Sequence, residues 1–113
     1  MPELRFPQRV PIEKRKKVVR TCAAHRAWVR RHFCSVPGCR QQPIECAHVR
    51  RGTDGGVSLK PSDKWTLSLC RRHHREQHEI GEQRFEAKYD LDLLELASQF
   101  ARRSPFWRRH CSK

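Results

Sequence analysis

Between Cys34 and His78 the chain concentrates four of its six cysteines and four of its seven histidines. They run as Cys34-Ser-Val-Pro-Gly-Cys39, Cys46-Ala-His48, and Cys70-Arg-Arg-His73-His74-Arg-Glu-Gln-His78. At 113 residues the chain makes one domain with a modest core, and a core of that size usually needs a covalent or metal staple. The opening residues, Met-Pro-Glu-Leu-Arg-Phe-Pro-Gln, lack the apolar stretch of a signal peptide, and no run is long enough to span a membrane. The expectation is therefore a cytoplasmic protein with no membrane partner, whose thiols stay reduced and bind metal in preference to forming disulfides.

Spacing divides the cluster into two sites. Neighbouring residues of a helix point about 100° apart, so His73 and His74 cannot easily serve one ion. His74 and His78 stand four apart on one helical face, where two imidazoles can hold the same cation. His73, three residues after Cys70, turns the other way and completes a tetrahedral set with Cys34, Cys39 and Cys70, the closed structural zinc type. Pro37-Gly38 supplies the turn that aims Cys34 and Cys39 at one point. Cys46 is a fifth thiol for four places and reads as a buried strand residue, while Cys22 and Cys111 have no local partner and read as free.

The remaining chain divides into a basic arm over residues 1–20, one domain over 21–103 with its metal core at 34–89, and a basic tail over 104–113. The arm carries three prolines and the run Lys14-Arg15-Lys16-Lys17, a composition that buries little. Thr21 can cap a helix reaching about His32, with Arg26, Arg30 and Arg31 left to face solvent or phosphate. Residues 43–49 form a strand with Ile44, Cys46 and His48 on one face and Glu45, Ala47 and Val49 on the other. A long loop follows, with Asp54-Gly55-Gly56 as its turn signal and Arg50, Arg51, Lys60 and Lys64 as its basic residues. Residues 65–69 form a second, antiparallel strand, and helices follow over 70–79 and 82–89, separated by Gly81. Asp92 caps a last helix with an apolar face of Leu93, Leu94, Leu96, Ala97, Phe100 and Ala101.

A net charge of +13 points to an acidic polymer as partner, because Lys and Arg gain affinity by releasing counterions from phosphates. Nucleic acid fits best, with Arg50, Arg51, Lys60, Lys64, Arg71 and Arg75 as the candidate contacts.

Two strands, a long loop and a helix, carrying Ala47-His48-Val49, Gly55-Gly56, Leu67-Ser-Leu-Cys70 and His73-His74-Arg-Glu-Gln-His78, resemble the HNH, or ββα-metal, endonucleases. The wording is closest to short phage and prophage members of the recombination-enhancing nuclease type. The resemblance implies an α+β fold: a small ββα-metal core with a zinc knuckle, flanked by an N-terminal helix and C-terminal helices. It implies a bacterial or phage-encoded enzyme that hydrolyses DNA phosphodiester bonds to 5′-phosphate and 3′-hydroxyl ends. His48 would be the general base, and His74 with His78 would hold a catalytic divalent cation, Mg²⁺, Mn²⁺ or Zn²⁺, beside the structural Zn²⁺.

The chain departs from this pattern twice. Many members carry Asp or His just before the base, where this chain has Ala47, so water, substrate oxygen or a loop carboxylate must complete the metal shell. The Asn that orients the base has no counterpart, since the chain contains none. Asp63 is the first candidate for that role and Asp54 the second, because a carboxylate accepts from an imidazole N–H and sets its tautomer. The alternative is a catalytically inactive, zinc-stabilised nucleic-acid-binding module. Such a module has no use for His48, His74 and His78 beyond a complete zinc site, and their presence favours the enzyme.

Fluorescence anisotropy should show affinity for duplex DNA falling steeply with salt, and deletion of residues 1–17 should flatten that slope if the arm grips phosphate. An unchanged slope would make the arm a solvated tail.

Overall fold

The computed structural model describes residues 21–53 and 61–107, and its elements run α1 (Ala23–Val29), β1 (Ile44–His48), β2 (Thr66–Cys70), α2 (Arg71–Ile80), α3 (Glu82–Tyr89) and α4 (Leu93–Arg103). The architecture is α+β. The strands pair antiparallel, from Ile44 opposite Cys70 to His48 opposite Thr66. The basic arm, Asp54, the glycine turn and Lys60 lie outside the described residues.

β2 is buried along its whole length, although its sequence alternates apolar and polar residues. The reason is that α1, α2 and α4 all pack on it, so neither face is left to water. Its polar side chains are satisfied internally: Thr66 Oγ1 donates to the Asp63 carbonyl at 2.8 Å and Ser68 Oγ to the Phe33 carbonyl at 2.6 Å. Leu67 and Leu69 meet Phe85, Leu93 and Ala97 in the main core, beside Ile44, Ala47 and Val49.

The Cys34–Cys39 turn is pinned along β2, where the Ser35 amide donates to the Ser68 carbonyl at 2.8 Å. Gly38 lies at φ 78°, a left-handed conformation that costs glycine little, and Cys39 N closes the turn onto Val36 O at 3.0 Å. The strand then runs straight into α2, because Cys70 is both the last paired residue and the helix N-cap, its Sγ accepting from His73 N at 3.5 Å. Gly81, at φ 87°, ends α2 and starts α3. Asp92 caps α4 through Glu95 N at 3.1 Å, as its type and position imply.

Three local expectations change. Helix α1 begins at Ala23 after Cys22, with no side-chain cap, because its N-terminus is held by a distant carboxylate: Cys22 N donates to Asp63 Oδ2 at 2.7 Å. Cys22 is disulfide-bonded, and Cys34, Cys39, Cys46 and Cys70 are free thiols. It is buried beside Ala101 and Trp107, contacts far apart in sequence that spacing does not reveal. Packing also continues past Arg103, since Ser104 and Trp107 are buried.

His25 is fully buried, with Nδ1 on Ser104 Oγ at 2.7 Å and its ring between Trp28 and Trp107. Burial pushes its pKa down to about 4, partly offset by the charge of Asp63. The unfolded value, 6.5, is higher, so the unfolded chain binds more protons between the two. The stability that neutral His25 contributes is complete above pH 6.5 and is lost as pH falls toward 4. Denaturation of a His25→Leu variant should therefore show an acid limb flatter by up to one proton over that window, about 1.4 kcal/mol per pH unit.

Candidate metal centre and nucleic-acid groove

Two groups of side chains meet at the sheet and α2. In the first, ligand atoms of Cys34, Cys39, Cys70 and His73 all lie within 4.8 Å of one another. His73 Nδ1 is 3.4 Å from Cys34 Sγ and 3.2 Å from Cys70 Sγ, and Cys39 Sγ is 3.9 Å from Cys70 Sγ. Thiolates bound to one tetrahedral zinc stand about 3.8 Å apart, so the cluster fits such an ion. Its chemistry fits as well. Burial pushes the Cys34 thiol up to about 11, and it lowers the pKa of His73, helped by the charge of Arg72. Ionised thiolates gathered here need a counter-charge, and a divalent cation such as zinc supplies it. Tyr89 and Phe85 close over the His73 ring.

The second group faces a groove of about 1190 Å³ on the other side of α2. His74 and His78 bring their Nε2 atoms to 3.2 Å, close to the spacing of about 3.3 Å for two nitrogens on one tetrahedral cation. His74 Nδ1 lies 2.9 Å from Glu45 Oε1 on β1. These residues could hold a second cation. Among the described residues no third Cys, His or carboxylate joins the pair closely enough to make a complete protein cage.

His48 lines the same groove at the end of β1, with Nε2 2.9 Å from Asp63 Oδ1. Asp63 is buried, and its other oxygen accepts from the Cys22 amide at 2.7 Å and from Arg26 at 2.6 Å. Burial alone would raise its pKa, but the hydrogen bonds from His48 and Cys22 and the charge of Arg26 outweigh that and hold it below the ordinary carboxylate value. An ionised carboxylate on Nε2 fixes the proton there and leaves the lone pair on Nδ1. Gln77 ties α2 to the strand, its Nε2 3.4 Å from the His48 carbonyl.

Arg50 and Arg51 line the groove, their backbone held by Glu82, which accepts from Arg50 N at 2.8 Å and from Arg51 N at 3.0 Å. Lys64, Arg71 and Arg75 are exposed but lie outside the groove: Lys64 stands over the Trp65 ring and Arg71 pairs with Glu45 at 3.3 Å. Arg26 from α1, Arg30 at its C-terminal cap and Arg84 from α3 complete its basic lining. The i, i+4 spacing of Arg26 and Arg30 marked a shared helix face, but not that this face borders His48. Cys46 is half-buried in the groove wall, outside the four-residue cluster. Glu45 is the residue that sequence reasoning missed, since it carried no ligand spacing and its strand face was assigned no chemistry.

An antiparallel strand pair running directly into a helix, with a Cys/His cluster at the junction, is the fold of the ββα-metal nucleases. The chain belongs to the HNH nuclease family: the family model described as "Putative HNHc nuclease" matches residues 3–101. No curated protein and no solved structure matches it.

Adjacent histidines give the sharpest test of the two groups. Replacing His73 by Ala should lower bound zinc and melting temperature, whereas His74→Ala should leave both close to the parent, as read by metal analysis and thermal unfolding. Strong chelation should likewise unfold the domain, since metal binding is folding free energy in small metal domains.

Proposed function

We propose that the protein is a metal-dependent HNH endonuclease that hydrolyses DNA phosphodiester bonds, with His48 as general base and Asp63 as the group that orients it. The observation that carries this reading is the His48–Asp63 hydrogen bond of 2.9 Å in a groove shared with the His74–His78 pair. A binding module has no reason to hold one imidazole in a defined tautomer beside a second pair arranged for a cation.

In this reading Arg26, Arg30, Arg50, Arg51 and Arg84 take the phosphate backbone along the groove. With Nε2–H committed to Asp63, Nδ1 of His48 accepts a proton from water, whose oxygen attacks the phosphorus. The bond to the 3′ oxygen breaks, leaving 5′-phosphate and, after proton uptake from solvent, 3′-hydroxyl ends. His74 and His78 would hold a divalent cation, Mg²⁺, Mn²⁺ or Zn²⁺, which would supply positive charge to offset the charge that develops on the phosphate oxygens. Zinc in the Cys34, Cys39, Cys70 and His73 cluster serves the fold.

Plasmid relaxation by the zinc-loaded protein, with and without added Mg²⁺ or Mn²⁺, tests the assignment. His48→Ala should lower the rate about 10²–10⁴-fold while DNA affinity and zinc content hold, in line with the loss of a general base. Asp63→Asn should lower the rate by a smaller factor, because an amide oxygen still accepts from Nε2–H but does not stabilise the imidazolium that forms. A parent protein that cuts neither DNA nor RNA with any common divalent cation, or a His48→Ala protein as fast as the parent, would leave a binding module as the better description.

A further inference from the structure

We propose that Glu45 is the positioning residue of the cation site: it fixes the tautomer and ring orientation of His74 from the neighbouring strand. This rests on the reading of His74 and His78 as cation ligands. Glu45 Oε1 lies 2.9 Å from His74 Nδ1, on the opposite side of the ring from the nitrogen that faces His78. A carboxylate only accepts, so Nδ1 carries the proton and the Nε2 lone pair is turned toward His78 Nε2, 3.2 Å away. Glu45 therefore does not compete for the cation from that oxygen. It prepares the nitrogen that binds the cation by holding the ring in one tautomer and orientation, as carboxylates behind metal-bound histidines do.

The strand geometry allows this reach. Glu45 and Ala47 share one face of β1, and Ala47 is fully buried with only a methyl group under the packing. Gln77 Nε2, 3.4 Å from the His48 carbonyl, holds α2 against the same strand. With Ala47 offering no donor of its own, the site leans on two histidines, and the orientation of each weighs more in its affinity.

The competing account is that Glu45 serves only its ion pair with Arg71, at 3.3 Å. Arg71 is 63% exposed there, and surface pairs of that kind contribute little. The two accounts separate experimentally.

The zinc-loaded protein is compared with its Glu45→Ala, Glu45→Gln, Arg71→Ala and His74→Ala/His78→Ala variants. Long-range ¹H–¹⁵N correlation reads the His74 tautomer before cation is added, and the EPR signal of free Mn²⁺ reads binding. Glu45→Ala should lose the Nδ1–H tautomer preference and weaken Mn²⁺ binding about 10–100-fold, with zinc content unchanged. Glu45→Gln, whose amide oxygen still accepts, should keep the tautomer and lose less affinity. Arg71→Ala should match the parent in both. Mn²⁺ affinity in Glu45→Ala within about twofold of the parent, while the double histidine variant loses binding, overturns the role of Glu45 alone. If the double variant also binds Mn²⁺ like the parent, the cation-site reading falls, and the role of Glu45 with it.

Discussion

The convergence of Cys34, Cys39, Cys70 and His73 at the point where β2 becomes α2 is the constraint on which the rest depends. Cys70 is at once a strand residue paired with Ile44, the cap of α2 and a member of the cluster. Its position therefore sets where the helix starts and, through 3.6 residues per turn, which way each later side chain points. With His73 turned into the cluster, His74 and His78 are turned toward the groove. A core this small would define that phase weakly by apolar packing alone.

A second point of convergence is Asp63. It is buried, and it draws together the α1 N-terminus through Cys22 N, the same helix through Arg26, and the end of β1 through His48. A buried carboxylate is costly unless its oxygens are hydrogen-bonded, and here both are. The arrangement ties the entry helix to the groove, so α1 is placed by electrostatics as well as by Val29 and Cys22 in the packing. The same helix brings Arg26 and Arg30 to the groove wall, and fold and basic surface are thereby built by one element.

The groove itself is a composite. One wall comes from β1 with Glu45, Cys46 and His48, another from α2 with His74, Gln77 and His78, and the basic lining from α1, α3 and the residues after β1. Glu82 secures the backbone of Arg50 and Arg51 by accepting from their amides at 2.8 and 3.0 Å. Arg51 also meets Glu86 at 3.4 Å, an exposed pair that a phosphate can displace at little cost.

The local elements were legible in the sequence because their causes are local. The four-residue step from His74 to His78, the cap at Asp92, the break at Gly81 and the turn at Gly38 each follow from backbone periodicity or from one residue's conformational freedom. The Cys/His cluster was legible for the same reason, being two short-range pairs whose ligand types suit one ion. Asp63 stood out as a candidate only because the expected Asn was missing; its contact with His48 depends on the loop's return to β2. The reach of Glu45 to His74, the burial of His25 against Ser104 and Trp107, the disulfide at Cys22 and the exclusion of Lys64, Arg71 and Arg75 from the groove were decided by tertiary structure. Each joins or separates side chains on different elements, and no periodicity within one element carries that information.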